Sequence, residues 1–187
     1  MSRPIALVLA LLLTACSVAP PPARSPGAAV DGPNPLADTI NRYRTSKGLA
    51  PIALSRSLTR VAAAHVADLE ANYRAGGACN MHSWSGHGNW SSCCYTPDHA
   101  RAACMWDKPR ELSNNRYQSP GYEIVAHYTD PMTPTIALQI WRESPNHLVM
   151  IVNDGRWADN IWRAMGAAMG EHYAVVWFGE EPDPAGS

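Results

Sequence analysis

The chain has 187 residues and a formal net charge of -1, with 16 acidic residues against 15 Lys and Arg. It contains no basic stripe and no long run of like charge, which disfavours nucleic acid as a partner. Between two atypical ends, residues 35–179 amount to one domain that is long enough to bury a core.

The N-terminus predicts a bacterial lipoprotein signal peptide over residues 1–15. Its apolar run, residues 5–13, is too short to span a bilayer as a permanent helix. The run Leu13-Thr14-Ala15-Cys16 resembles a lipobox, so we expect cleavage before Cys16 and acylation of Cys16 by palmitate-like chains, which anchor a protein durably in a membrane. The residue after the lipid site is Ser17 and not aspartate, which resembles the sorting pattern of outer-membrane lipoproteins. This favours a cell-envelope location, facing the periplasm or the surface. The alternative is a plain secretory signal with a chance cysteine.

Both ends of the domain are predicted to lack packed structure. Residues 16–34 contain five prolines among Ala, Gly and Ser, which favours an extended tether with a reach of roughly 50 Å from the membrane. Residues 180–187 are acidic and contain proline, so we expect a frayed, disordered tail.

Two helices are predicted first. One covers residues 37–47 and ends at Gly48, and the other begins at Ser55 or Ser57 and runs to about Tyr73. The second has one buried face at helical spacing, formed by Leu58, Val61, Ala62, His65, Val66 and Leu69. His65 lies on this face, and we interpret it as a hydrogen-bonded core histidine in preference to a metal ligand.

Residues 77–120 are predicted to form a long loop with one short helix near residues 97–106. A loop of this length is uncommon in a compact domain unless it is functional or cross-linked. Besides Cys16, the chain has four cysteines, Cys79, Cys93, Cys94 and Cys104, and an even number in an oxidising compartment predicts two disulfides. A bond between the adjacent Cys93 and Cys94 would be strained, so each should pair with Cys79 or Cys104, in either combination. A zinc site is the alternative, but the usual Cys-x-x-Cys spacing does not occur.

A helix junction is predicted at residues 141–147, Trp-Arg-Glu-Ser-Pro-Asn-His. Thr133 and Pro134 favour a helix over residues 135–142, which should end near Ser144 because Pro145 disfavours helical geometry before it. Ser144 is a good N-cap, and Pro145 suits the first position of a new helix. His147 then lies in the first turn, where the helix dipole disfavours the imidazolium and favours a neutral, ligand-capable imidazole.

The last predicted elements are two short strands, residues 162–169 and 172–178, joined as a hairpin at Gly170-Glu171. Helices followed by strands predict an α+β domain.

The order of these motifs resembles the CAP superfamily, also called the SCP or cysteine-rich secretory, antigen 5 and pathogenesis-related 1 family. The matching residues are Asn41, Arg42 and residues 48–52, the helix segment 62–69, His82, residues 121–124, Trp141 with residues 144–147, and the final strand 173–179. The resemblance implies a three-layer α-β-α sandwich whose surface cavity is lined by two histidines and acidic residues.

Residue by residue, the resemblance assigns His82 and His147 as the two cavity histidines and Glu123 as the acid of the Gly-Glu-Asn motif. Ile124 stands where that motif has asparagine, so this corner of the cavity should be less polar. The second family glutamate normally lies three residues after the tryptophan, where this chain has Ser144. Glu143 is the neighbouring substitute, although the break at Pro145 removes ordinary i, i+4 geometry towards His147. Glu111 is a further acid, for which a surface role is favoured.

Two imidazoles and a carboxylate could hold Zn²⁺ or another divalent ion and leave a position for water. The chain has no His-Glu-x-x-His helix and no Gly-x-Ser-x-Gly elbow. A separate metal site in the loop, at His82, His87 and His99, is the less favoured interpretation. Scattered polar loop residues without a shared ligand are favoured instead. We therefore expect a cell-envelope module that binds a lipid, glycan or protein. The alternatives are a metal-dependent hydrolase at the same cavity and a purely structural lipoprotein.

Overall fold

The computed structural model describes residues 32–186. The predicted signal peptide, Cys16 and most of the tether lie outside the described residues. In this part of the chain, no helix has the length and apolar character needed to cross a membrane. The helices are α1 Pro35–Ser46, α2 Arg56–Asn72, α3 Ala103–Trp106, α4 Lys108–Leu112, α5 Pro134–Glu143 and α6 Pro145–Ile151, and the strands are β1 Tyr122–His127, β2 Ala164–Met169 and β3 Tyr173–Gly179.

The three strands form one antiparallel sheet in the order β1-β3-β2. The β2–β3 pair is the predicted hairpin, closed by a hydrogen bond of 2.9 Å from Gly170 N to Tyr173 O. β1 pairs with the other side of β3 and places Glu123 opposite Trp177. The sequence pattern did not predict β1, because its two faces enter different cores and the strand therefore lacks apolar–polar alternation.

The sheet is covered on both faces, which confirms the three-layer α-β-α sandwich. On one face, Ile124 and Val176 pack with residues from α1, α5 and α6. On the other face, Val125 and Val175 pack with α2 and the long loop. The helices α1, α2 and α5 each present an apolar stripe to the sheet, so they have the 3.6-residue period, and the strands, covered on both faces, do not alternate.

The contact between α2 and β2 depends on Gly166. A Cβ atom at this position would overlap the backbone of Leu58 and Thr59. The absent side chain lets the helix lie directly on the strand, and His65, on the same helix, has no solvent exposure.

The long loop is held by two disulfides, which confirms the prediction for all four cysteines. The pairs are Cys79–Cys94 and Cys93–Cys104, with Cα–Cα distances of 4.9 and 5.6 Å. The single short helix expected near residues 97–106 is replaced by α3 and α4. Glu111, on α4, lies 2.6 Å from the ammonium of the buried Lys108, so its role is structural.

Hydrogen bonds hold residues 180–186 against the domain, in contrast to the frayed tail expected from the sequence. The carboxylate of Asp183 accepts hydrogen bonds from Ser55 Oγ at 2.7 Å and from Ser57 N at 2.7 Å. Tyr117 donates to the carbonyl of Glu181 at 2.9 Å. The first N–H groups of α2 have no partner within the helix, and a carboxylate from the tail satisfies one of them.

Candidate functional site: a histidine cavity

A cavity of about 560 Å³ opens between the long loop, β1 and α6. It contains three of the residues that the sequence assigned to a site, namely His82, Glu123 and His147. The full set of lining residues is Asn80, His82, Tyr95, His99, Met105, Trp106, Tyr122, Glu123, Asn146, His147, Met150, Arg156 and Trp157.

Glu123 holds two histidines, one with each carboxylate oxygen. Its Oε1 lies 2.8 Å from His82 Nδ1, and its Oε2 contacts His65 Nδ1. The other nitrogen of His65 lies 3.0 Å from the carbonyl oxygen of Ser83. Because both nitrogens of His65 face acceptors, a protonated ring donates to both and pairs with Glu123 as a buried cation.

The charge of Glu123 is stabilised by these partners. Burial alone raises the pKa of this carboxyl, but the charge of His65 and hydrogen bonds from His65 and His82 outweigh burial and hold the pKa below its usual value. Glu123 is therefore an ionised carboxylate although it is buried, with only 4% of its surface exposed.

The position of His82 follows from its neighbours on the loop. Its backbone N–H donates to Asn80 Oδ1 at 2.9 Å, next to the Cys79–Cys94 disulfide. Because Nδ1 donates to Glu123, a neutral His82 ring has its lone pair on Nε2. A carboxylate that accepts from one ring nitrogen and leaves the other basic is the arrangement that orients metal-ligating and general-base histidines.

His147 is placed by the predicted helix junction. α5 ends at Glu143 and α6 begins at Pro145, so His147 lies in the first turn of α6. The Ser144 side chain makes no capping hydrogen bond, and its carbonyl accepts from His147 N at 3.1 Å instead. Burial, and then the charge of His82, lower the pKa of His147 to about 4, so the ring is neutral at pH 7. Its Nδ1 is buried without a hydrogen-bond partner among residues 32–186.

Glu143 lies outside the cavity. It is exposed and accepts a hydrogen bond of 3.0 Å from Gln139, one turn earlier on α5. The helix break at Pro145 separates the faces of α5 and α6, so Glu143 borders a different hollow, beside Tyr43.

The remaining loop histidines divide between the cavity and the surface. His99 lines the cavity, and its Nδ1 lies 2.6 Å from the hydroxyl of Tyr95. Burial, and then the charge of Glu123, raise the pKa of Tyr95, so its hydroxyl is a neutral donor. His87 is exposed and does not line the cavity. His82, His87 and His99 are therefore not brought together as one loop site.

Sequence reasoning missed several members of the site. His65 is buried and hydrogen-bonded, as expected, but its partner is Glu123, which connects the core of α2 to the cavity. Tyr122, Arg156 and Trp157 also line the cavity. The available signal was weak, because Tyr122 was seen only as part of the motif at residues 121–124, and Arg156 and Trp157 belong to no recognised motif.

The two cavity histidines are too far apart to share one zinc ion. Two imidazoles that share a tetrahedral zinc ion place their ring centroids roughly 5 Å apart, given Zn–N bonds of about 2.0–2.1 Å. The rings of His82 and His147 are 6.5 Å apart. Within residues 32–186, no group of three His, Cys, Asp or Glu side chains is arranged to hold a metal ion. In this geometry the cavity has two imidazoles as candidate metal ligands. Glu123 is not a third ligand, because it accepts a hydrogen bond from His82.

Comparisons with known proteins agree with the fold. The chain is similar in structure to an outer surface protein from Borrelia burgdorferi, with 17% identity, a TM-score of 0.51, and coverage of 78% of this chain and 90% of that one. It is also similar to an extracellular protein containing a SCP domain from Bacillus anthracis, with 18% identity, a TM-score of 0.54, and coverage of 78% of this chain and 39% of that one. No curated protein matches the sequence. The model of the family described as "CAP: Cysteine-rich secretory protein family" matches residues 37–156, which is more than half of the chain. The chain therefore belongs to the CAP family of cysteine-rich secretory proteins.

Proposed function

We propose that this protein is a cell-envelope lipoprotein whose CAP domain binds a ligand in the cavity between His82 and His147. The observation that carries the proposal is the clamping of Glu123 between His65 and His82 at the wall of that cavity. Burying an ion pair costs desolvation energy that apolar residues would avoid. Strongly perturbed ionisable groups beside a cavity are typical of functional sites.

The lining supports binding more directly than covalent catalysis. The residues around the cavity include no Ser, Thr or Cys, so a covalent mechanism would lack the usual hydroxyl or thiol nucleophile there. They do include four Tyr or Trp rings and two asparagines. Apolar surface with a few polar groups is typical of small-molecule sites.

The proposal can be tested with the indole N–H signals of the seven tryptophans. The full-length protein in detergent micelles is titrated separately with the lipid, glycan and protein fractions of the cell envelope. A cavity ligand should shift the signals of Trp106 and Trp157, which line the cavity. The signals of Trp90 and Trp141, which lie outside it, serve as internal controls. If no fraction moves the Trp106 and Trp157 signals selectively, the proposed function is wrong.

A metal-dependent hydrolase is the second candidate, favoured by the hydrogen bond of 2.8 Å from His82 to Glu123. To hold a divalent ion together, the His82 and His147 rings would have to approach each other from their present separation of 6.5 Å, and the ion would then supply an activated water. Zinc titration by calorimetry should then give one site per chain, lost in the His82→Ala/His147→Ala double variant together with ester or peptide hydrolysis. The matched control is His87→Ala, an exposed loop histidine. Zinc-independent ligand binding without turnover would exclude this candidate.

The membrane anchor has its own test. Cys16 lies outside the described residues, and the proposal of lipidation depends on the lipobox. An extracytoplasmic location is supported by the fold's similarity to an outer surface protein and an extracellular protein. Cys16→Ser should release the protein from the membrane fraction or block processing of the signal peptide. Unchanged membrane retention with normal processing would contradict a lipid anchor at Cys16.

A further inference from the structure

We infer that the ligand of the cavity is a carboxylated saccharide. This inference rests on the proposed function, because it names the ligand class for the same cavity. It depends on three observations: the kind of side chains that line the cavity, the arrangement of its aromatic rings, and a cation without a counter-ion at its edge.

The lining lacks the aliphatic side chains that an acyl chain would contact. None of its residues is Leu, Ile or Val, and apart from Met105 and Met150 they are aromatic, imidazole, amide or charged. The hollow beside α1 and α2 is different, because Leu36, Val66 and Met169 line it together with several alanines. A sugar ring has an apolar C–H face and a rim of hydroxyl groups. Aromatic faces beside amides and imidazoles match both parts of such a ring.

The aromatic rings form a continuous wall. The Tyr122 ring lies 4.9 Å from Trp157 and 6.0 Å from Trp106, measured between ring centroids. Trp106 is 39% exposed, so part of its ring is accessible to a ligand in the cavity. Two indoles in contact with one phenol provide an aromatic surface against which the C–H face of a pyranose can pack.

Arg156 gives the cavity an uncompensated positive charge. It is exposed, and its hydrogen bond is a long one of 3.4 Å to Asn146 Oδ1. Within the described part of the chain, no carboxylate lies in ion-pair distance of its guanidinium. Glu123, the only acid in the lining, is committed to His65 and His82. A guanidinium in this position favours a planar carboxylate, which it can bind with two parallel hydrogen bonds.

The inference is tested by calorimetric titration of the full-length protein with two carboxylated probes. These are the disaccharide N-acetylglucosaminyl-N-acetylmuramic acid and trigalacturonate, each compared with its own methyl ester, which removes the charge and keeps the ring. At least one acid should bind, and its ester should bind roughly 10- to 100-fold more weakly, the range expected from losing a charge-assisted hydrogen bond. Decanoate, which has a carboxylate on an aliphatic chain, should not compete.

Variants separate the two parts of the site. Arg156→Gln should weaken the acid to the level of the ester and leave the ester unchanged, whereas Trp106→Ala should weaken both. The control is Arg60→Gln, an exposed arginine on α2 that does not line the cavity. Failure of both acids to bind, equal binding of acid and ester, or competition by decanoate would overturn the inference. If a lipid or protein fraction shifts the Trp106 and Trp157 signals while both acids fail, the proposed function stands and the ligand class is wrong.

Discussion

At the residue scale, Glu123 is the centre of the site although it is almost entirely buried. Each of its oxygens accepts from a different histidine, so it couples α2, through His65, to the loop that carries His82. The carboxylate positions these rings, and a change at Glu123 should affect both stability and the cavity.

We expect Glu123→Gln to be strongly destabilising. The amide is uncharged and cannot accept with both of its terminal atoms, so the buried His65 loses its counter-ion. Breaking a buried pair in this way costs about 3–5 kcal/mol. Urea unfolding at pH 7 measures the change.

The matched control is Glu143→Gln, which alters an exposed glutamate with one side-chain hydrogen bond to Gln139. Its free energy of unfolding should change by about 0.5 kcal/mol or less. Similar losses in both variants would contradict the clamping role of Glu123.

A second prediction at this scale concerns pH. Burial lowers the pKa of His147 to about 4 from an ordinary value of 6.5. Between these values the unfolded chain binds a proton that the folded chain excludes, so the free energy of unfolding falls as the pH is lowered. Below pH 4 this loss is complete.

His147→Gln isolates the effect. From pH 7.5 to 4.5 in buffer with a metal chelator, the wild-type protein should lose about 2–3 kcal/mol more than the variant. Glu123 also contributes, because its depressed pKa gives stability that is lost below its ordinary value of 4.5, but it does so in both proteins. Identical pH profiles would show that His147 is not held neutral by burial.

At the element scale, α5 and α6 begin in different ways. Thr133 accepts a hydrogen bond of 3.2 Å from Ile136 N, whereas Ser144 makes no such bond from its side chain. Thr133→Ala should therefore cost about 1 kcal/mol, and Ser144→Ala about 0.5 kcal/mol or less. Thermal or urea unfolding of the two variants provides the comparison. An equal cost would mean that Ser144 caps α6 in solution.

At the scale of the whole molecule, the disulfides fix a loop that regular secondary structure does not hold. Cys79–Cys94 joins positions that are 15 apart in the chain, and the loop it closes carries Asn80 and His82 of the cavity lining. Replacing both cysteines by alanine should lower the free energy of unfolding by about 3 kcal/mol, since loop-closure entropy returns to the unfolded chain. It should also weaken any cavity ligand through the displacement of His82.

The Cys93→Ala/Cys104→Ala variant is the companion to this experiment, because it removes the bond between positions 11 apart and leaves Cys79–Cys94 intact. Its stability loss should be similar, and its loss of ligand affinity should be smaller. Equal losses of affinity would show that the whole loop, and not His82 alone, depends on the cross-links.

The sequence by itself determined the features that depend on neighbouring residues. Pro145 and Thr133 predicted the helix junction that places His147, because proline and capping residues act within one turn. The adjacent Cys93 and Cys94 excluded a bond to each other and left two pairings open. The order of the motifs identified His82, Glu123 and His147, which the structure brings to one cavity.

Tertiary structure alone decided what those residues contact. It formed β1 between two apolar layers, it placed Glu143 beyond the helix break, and it docked Asp183 on the start of α2. It also gave Glu123 the partner His65, which lies 58 positions earlier in the chain. The physical reason is that hydrogen bonds and burial between distant segments depend on how the layers pack, and no local pattern records that packing.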